Sequence, residues 1–208
     1  MRRPILIGFF ALSVGALVSF PSLAVTTEEG AHQFVQGLAE RTIDTLKANP
    51  PKPERDRRFS EIFSDGFDIR SIAAFCLAGY WKRATGQEQQ EYLDVFRELI
   101  VQTYSRRLGS IYHGEKLEVG AARADGKDGA WVSSQIVSPD KSKQPIEIEW
   151  RVRLRGGMSY QIIDVVVAGV SMAVTQRDDF VSVLQRNGGN VRAFLDMLRD
   201  KVKQLQAG

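Results

Sequence analysis

Residues 146–155, IEIEWRVRLR, alternate without a break between apolar and charged side chains. A period of two is that of a β-strand, in which successive side chains point to opposite faces of a sheet. One face of this strand therefore carries Ile148, Trp150 and Val152, while the other carries glutamates and arginines. Such a strand fits an antiparallel sheet that meets water on one side and is covered on the other.

Neighbouring segments show a similar pattern, so we predict four main strands, over residues 116–121, 130–137, 145–155 and 160–168. The connections between them carry turn signals, at Asp125-Gly126, Ser138-Pro139-Asp140 and Gly156-Gly157. Because these connections are short, consecutive strands should pair as an antiparallel meander. A fifth, short strand is predicted over residues 172–175.

The chain on both sides of the sheet has the 3.6-residue period of amphipathic helices. Before the sheet we predict four helices, over residues 28–47, 55–63, 68–79 and 85–108. Thr85 and Glu88 have the capping-box spacing, and Asp68 is placed to cap the third helix. After the sheet we predict two more, one from Asp178 or Asp179 to Arg186 and one capped by Asn190 and ending at Leu205.

These elements predict one α+β domain over residues 25–208. Residues 25–114 should be mainly helical, 115–175 should form a curved antiparallel sheet, and 176–208 should be helical again. Helices from both ends of the chain would cover the apolar face of the sheet.

The N-terminus has the features of a secretion signal. A basic start at Arg2 and Arg3 precedes an apolar run over residues 5–20, and Ser22-Leu23-Ala24 offers the small-x-small pattern of a cleavage site. The alternative is an uncleaved anchor, but the run is shorter than the roughly 20 residues of a spanning helix. We therefore predict removal of residues 1–24 and export of a soluble protein to the periplasm.

The charge balance argues against nucleic acid as a partner. The chain has 28 Lys and Arg against 25 Asp and Glu, and loss of Arg2 and Arg3 with the signal brings the two close to equality. The densest basic cluster, Arg55-Arg57-Arg58, is interrupted by Glu54 and Asp56. A nucleic-acid-binding domain would need a clustered basic face.

The residue types needed for metal binding or nucleophilic catalysis are scarce. Cys76 is the only cysteine, which excludes an intramolecular disulfide, and its apolar surroundings predict burial. His32 and His113 are far apart in sequence and lack a partner at metal-ligand spacing. We predict no catalytic residue, metal or cofactor.

Asp164 is the carboxylate with the most open role, because it interrupts the apolar strand 162–167. In such a setting it could act as a general base in a small-substrate enzyme. The favoured alternative is a structural acid, either paired with an arginine such as Arg177 or exposed at the strand end.

Two blocks of sequence resemble one known family. The first is Phe67-Asp68-Ile69-Arg70 followed by residues 77–85, LAGYWKRAT; the second is residues 164–171, DVVVAGVS, followed by residues 176–180, QRDDF. At this spacing they resemble the MlaC family, also called the toluene-tolerance family of periplasmic phospholipid-binding proteins. The likeness in element order covers nearly all of residues 25–208.

The resemblance implies a sheet of the nuclear-transport-factor-2-like type, with a deep apolar pocket for the acyl chains of a phospholipid. It further implies a monomeric shuttle without catalysis, which exchanges lipid with an outer-membrane lipoprotein complex and an inner-membrane ABC-transporter complex and so maintains outer-membrane lipid asymmetry. Ala78 and residues 158–160 depart from the family pattern. A hopanoid or another apolar lipid therefore remains an alternative ligand, and a filled core in an envelope adaptor remains an alternative architecture.

The expected pocket walls combine the apolar faces of the long helix and of the sheet. Their residues are Phe96, Ile100, Tyr104, Ile148, Trp150, Val152, Ile163 and Val165. Tyr80 and Trp81 follow a helix-ending Gly79, which suits amphipathic rings at a pocket mouth or docking face. Their alternative role is a plug that closes the junction between helices and sheet.

Overall fold

The structure is a computed structural model that describes residues 27–157 and 159–207. The predicted secretion signal lies outside these residues. None of the described helices is long and apolar enough to cross a bilayer. The described elements are α1 (Thr27–Ala48), α2 (Lys52–Gly66), α3 (Ile69–Leu77), a 3-10 turn (Ala78–Tyr80), α4 (Gly86–Ile111), β1 (Lys116–Ala124), β2 (Gly129–Val137), β3 (Ile146–Arg155), β4 (Ser159–Val167), β5 (Val170–Ser171), α5 (Met172–Arg186) and α6 (Val191–Ala207).

The five strands form one sheet in the order of the chain, and each pairs antiparallel with its neighbour. In β3, Ile148 and Val152 are buried, whereas Glu147 and Arg155 are exposed. The alternation of residues 146–155 thus has the predicted consequence, a sheet with one covered face. The α+β class and the antiparallel meander are confirmed.

A β-bulge changes the facing of side chains in β4. Arg151 lies opposite Asp164, but the next residue of β3, Val152, lies opposite Ile162. Ile163 is therefore the extra residue, and the alternation shifts by one position there. As a result Ile162 and Val165 both belong to the covered face of the sheet, although an unbroken period of two would place them on opposite faces.

Three apolar clusters form the core of the described residues, and two of them are large. In the first, α1 lies across the sheet and buries Val35 and Leu38 against Val132, Val152 and Ile162. The second is formed by the helices α3, α4, α5 and α6, and four of its rings pack edge to face or tilted, Tyr92, Phe96, Phe180 and Phe194. Of the two C-terminal helices, α5 contacts β4, while α6 packs against α4.

The segment after β4 differs from the prediction. The expected strand over residues 172–175 is wrong, because Met172 already belongs to α5, and the strand is instead Val170–Ser171. The physical cause is a cap: the Ser171 hydroxyl accepts a hydrogen bond from the backbone N–H of Val174, at 3.1 Å. The helix therefore begins before Asp178, the predicted start.

The other predicted N-terminal caps are confirmed, but the predicted helix end at Gly79 is wrong. Helix α3 ends at Leu77, its C-cap is Ala78 with a φ of 51°, and Gly79 lies in the 3-10 turn. Thr85 and Glu88 form a capping box at the start of α4, and Asp68 accepts a hydrogen bond from the backbone N–H of Ser71. Asn190 accepts one from Ala193 N–H at 3.0 Å, which starts α6. Strand β1 runs further than predicted, to Ala124.

Candidate binding cavity

A cavity of about 480 Å³ lies between the sheet and the helices. Volumes of roughly 300–1,000 Å³ are typical of small-molecule sites. Its walls come from α1 and α2 on one side, α3, α4 and α5 on another, and the covered face of the sheet. Nearly all lining side chains are apolar, so the interior offers few polar partners to a ligand.

Six of the ten residues predicted to bind a ligand line this cavity. Three are from α4, at the four-residue spacing that places side chains on one helix face, and three are from β3 and β4: Phe96, Ile100, Tyr104, Ile148, Trp150 and Val165. Trp150 is held in place by a hydrogen bond from its Nε1 to the Ser134 hydroxyl, at 2.8 Å.

Val152 and Ile163 are placed elsewhere. Val152 is on the covered face, but α1 lies directly on it and leaves it fully buried among Ala31, Val35 and Ile162. Ile163 is the extra residue of the bulge and does not line the cavity. The prediction treated the covered face as uniform, although only some of its residues border the cavity.

Tyr80 and Trp81 also lie outside the cavity wall and pack against the helical core. The ring of Trp81 is 6.3 Å from that of Tyr92, and the Arg70 guanidinium lies 5.4 Å from the Trp81 ring centre. Tyr80 lies so close to Gly189 that a Cβ there would be 3.0 Å from its ring. These contacts join the 3-10 turn to α4 and to the α5–α6 connection.

The prediction missed the contribution of the first two helices. Val35 and Leu38 of α1, and Phe59, Ile62 and Phe63 of α2, all line the cavity. The apolar face of α2 is visible in the sequence, because these three residues recur at helical spacing. What the period does not show is which face of the sheet a short helix packs against.

Asp164 lines the cavity, but its carboxylate is engaged by backbone and hydroxyl donors. It accepts hydrogen bonds from Val165 N–H at 2.8 Å, from Ala173 N–H at 3.1 Å and from the Ser171 hydroxyl at 2.6 Å. The expected ion pair with Arg177 is wrong for the described residues, in which the Arg177 guanidinium lies over the Phe75 ring. Asp164 joins the end of β4 to the first turn of α5.

Comparison with known proteins identifies the family. The model of the family described as MlaC protein matches residues 36–200. This chain belongs to the MlaC family. Two MlaC-family relatives match over most of their length. The toluene tolerance protein Ttg2D of Pseudomonas putida is 24% identical over 193 residues, which span 86% of this chain and 84% of the relative. The intermembrane phospholipid transport system binding protein MlaC of Haemophilus influenzae is 22% identical over 185 residues, 85% and 82% of the two chains.

A solved structure shares the fold. The phospholipid-binding protein of Ralstonia solanacearum, determined in complex with a phospholipid, superposes with a TM-score of 0.73. It is 19% identical in sequence and covers 85% of this chain and 98% of its own. The arrangement of helices around an antiparallel sheet is therefore common to both proteins.

The two sequence blocks that resemble the MlaC family build the scaffold around the cavity. Residues 77–85 carry Tyr80 and Trp81 into the helical core. Residues 164–171 contain both Asp164 and Ser171, which cap α5. In this MlaC-family chain the blocks position α3, α4 and α5, whose side chains then form the wall.

The thiol of Cys76 faces the same cavity and is confirmed as buried. Its Sγ lies 3.7 Å from the Ala173 carbonyl oxygen. Burial raises the pKa of the Cys76 thiol to about 12, so the unreactive protonated form dominates at neutral pH. Cys76 therefore acts as a small apolar side chain in the wall.

Proposed function

We propose that this MlaC-family chain is a phospholipid carrier that encloses acyl chains in the cavity between its sheet and helices. The observation that supports the proposal is the cavity itself, about 480 Å³ with almost wholly apolar walls. Each methylene moved from water into such a site gains about 0.8 kcal/mol, so acyl chains would enter it favourably. The names of the relative from Haemophilus influenzae and of the solved structure from Ralstonia solanacearum point to the same ligand class.

The proposed setting is the periplasm, reached by an export signal over residues 1–24 that is then removed. There a monomer would exchange lipid with an inner-membrane ABC-transporter complex and an outer-membrane lipoprotein complex and so help maintain lipid asymmetry. The relative from Haemophilus influenzae, named as the binding protein of an intermembrane phospholipid transport system, supports this setting.

Binding without catalysis is the activity that the site favours. The Haemophilus influenzae relative is named for phospholipid binding and transport rather than for a reaction. Asp164, the one carboxylate in the cavity wall over the described residues, already accepts three hydrogen bonds, two of them from the backbone. A base so occupied is poorly placed to take a proton from a substrate.

The direct test is to identify what the purified protein carries. The full-length chain would be expressed with its export signal, isolated from the envelope, extracted with organic solvent and analysed by mass spectrometry. We expect glycerophospholipid at near-stoichiometric amounts. Recovery of a hopanoid instead would favour the alternative ligand, and the absence of any lipid, together with no uptake from vesicles, would contradict the carrier function.

A paired substitution would tie the lipid to the cavity. Val167 lines the cavity opposite Ile148, whereas its neighbour Val166 lies opposite Glu149 and is not in the wall. Val167→Phe should fill part of the cavity and reduce lipid uptake roughly tenfold, because the larger side chain takes up space that the acyl chains would otherwise occupy. Val166→Phe is the matched control and should leave uptake near the wild-type level.

A further inference from the structure

The cavity opens where the end of α4 faces the start of β3. Ile111 and Ile146 both line the cavity, yet they are 53% and 46% exposed. Ile146 lies opposite Ile136, which in turn lies opposite Leu117, so that an apolar row crosses three strands at this edge. Large exposed isoleucines at the rim of an apolar cavity mark its mouth.

Arg107 stands at this mouth, one helical turn before Ile111. Four-residue spacing places the two side chains on the same face of α4. Arg107 is exposed and lines the cavity. Together with Asp164 it supplies the charge in a wall that is otherwise apolar or neutral over the described residues.

The two charged groups differ in their partners. Asp164 is satisfied by Val165, Ser171 and Ala173. The guanidinium of Arg107 has no ion pair or hydrogen bond with any residue in the part of the chain that the structure describes. Other exposed arginines of the described residues are paired, such as Arg57 with Glu54 and Glu61.

Arg107 lies one helical turn from a half-buried tyrosine of the cavity wall. Tyr104, three residues earlier on α4, lines the cavity, and burial raises the pKa of its hydroxyl. The nearby charge of Arg107 opposes this rise in the pKa of Tyr104, as expected for side chains three residues apart on one helix.

We propose that Arg107 binds the phosphate group of a lipid whose acyl chains occupy the cavity. This assignment rests on the proposed function and adds the residue that contacts the phosphate of the ligand, at the mouth beside Ile111. A guanidinium can form two parallel hydrogen bonds with phosphate oxygens, and helix α4 places Arg107 at the mouth of the cavity. A lipid without an anionic group would leave Arg107 without a partner.

The test compares two lipids that differ in the phosphate group. Vesicle-transfer affinities would be measured for a phosphatidylglycerol and for a diacylglycerol with the same acyl chains. We expect Arg107→Ala to weaken phosphatidylglycerol binding roughly three- to tenfold, because it removes a partly exposed charge-assisted contact. The same substitution should leave diacylglycerol binding unchanged. Arg107→Lys should recover part of the loss, because it restores the charge without the bidentate geometry.

Arg106→Ala is the matched control, since Arg106 is exposed on the same helix but does not line the cavity. It should bind both lipids as the wild type does. The wild-type preference for phosphatidylglycerol should also shrink with added salt, and Arg107→Ala should lose this salt dependence. Inorganic phosphate should not displace bound lipid, because it lacks the acyl chains that fill the cavity.

The outcomes separate this inference from the proposed function. If the wild type binds neither lipid, the carrier function itself fails. If the wild type binds both and Arg107→Ala changes neither affinity, or changes both equally, Arg107 does not recognise phosphate, although the carrier function stands. Displacement of the lipid by millimolar inorganic phosphate would overturn the assignment to a lipid headgroup.

Discussion

The carboxylate of Asp164 connects the last residues of β4 with the first turn of α5. The bulge at Ile163 places it opposite Arg151 in register, and its oxygens turn to Ser171 and to the backbone of Ala173. Sequence alone left its role open, because a carboxylate in an apolar strand can be a base, an ion-pair partner or a cap. Ser171 and Ala173 decide the role, and they reach Asp164 only because the chain turns back after Ala168.

Removal of the Asp164 carboxylate should destabilise the fold. Asp164→Ala leaves the N–H groups of Val165 and Ala173 without their acceptor, and we expect the free energy of unfolding to fall by about 1–3 kcal/mol. Urea denaturation measures this, with Asp178→Ala, an exposed acid on α5, as a control expected to stay within about 0.5 kcal/mol of wild type. Lipid uptake should persist in folded Asp164→Asn; its loss would show that the carboxylate also takes part in lipid binding.

At the scale of elements, α1 depends on close approach to the sheet. Gly30 is buried, and a Cβ at this position would overlap the hydroxyl end of Tyr160 on β4. Gly37 lies two turns later on the same helix, and a Cβ added there would have no neighbouring atom within 4 Å. Substitutions at these two glycines therefore distinguish the effect of close packing on stability from the effect of helix propensity.

Substitution of these two glycines by alanine should have opposite effects. Gly30→Ala should lower the free energy of unfolding by about 1–3 kcal/mol, because α1 or Tyr160 must shift. Gly37→Ala should raise it by about 0.5–1 kcal/mol, since alanine favours the helix and meets no neighbour. Chemical denaturation of both variants is the measurement, and equal effects would contradict the described contact between α1 and β4.

Helices α4 and α6 are joined by an ion-pair cluster centred on Glu91. Hydrogen bonds from Arg192 and Arg199 lower the pKa of Glu91 from its ordinary 4.5 to about 2. The unfolded chain therefore binds a proton at Glu91 at higher pH than the folded protein does. The resulting stabilisation is fully present above pH 4.5 and is lost as the pH falls to about 2.

Glu91→Gln should flatten the acid limb of the stability profile. Between pH 4.5 and about 2, the melting temperature of the variant should fall less steeply than that of the wild type. Thermal melts monitored by circular dichroism across this window provide the measurement. The control is Asp94→Asn, because Asp94 is an exposed carboxylate on α4 that accepts a hydrogen bond from the neutral Gln90. This variant should keep the wild-type slope. An unchanged slope in Glu91→Gln would contradict the account of the α4–α6 contact.

The failed strand prediction over residues 172–175 has a local cause. Met172, Val174 and their neighbours alternate well enough for a strand, and a period of two over four residues does not exclude a helix. Ser171 decides between them by accepting a hydrogen bond from Val174 N–H. A serine before an apolar segment is a recognised start signal, so the capping residue, rather than the period, marks where α5 begins.

At the scale of the whole molecule, the cavity lies between the two larger apolar clusters. One contains Val35 and Ile162 between α1 and the sheet, and the other contains Tyr92 and Phe194 between the helices. The sequence predicted the layers, because their periods of two and 3.6 are local. It did not predict where the layers separate, since Val152 and Trp150 have the same pattern but only Trp150 borders the gap.

The three tryptophans of the chain report separately on these regions. Trp150 lines the cavity, Trp81 packs in the helical core, and Trp131 lies between Arg123 and Arg151 on the outer face of the sheet. A bromine atom on a bound acyl chain quenches a tryptophan that it contacts. Fluorescence can therefore show whether the acyl chains lie near the cavity wall, the helical core or the outer face of the sheet.

The central claim is that acyl chains lie in this cavity, and quenching of Trp150 tests it most directly. The variant Trp81→Phe/Trp131→Phe, loaded with a phospholipid brominated at mid-chain, should lose most of its fluorescence relative to the same variant loaded with the unbrominated lipid. Trp150→Phe, loaded in the same way, should keep its fluorescence. Unquenched Trp150 in a protein with confirmed bound lipid, or equal quenching in Trp150→Phe, would contradict the account.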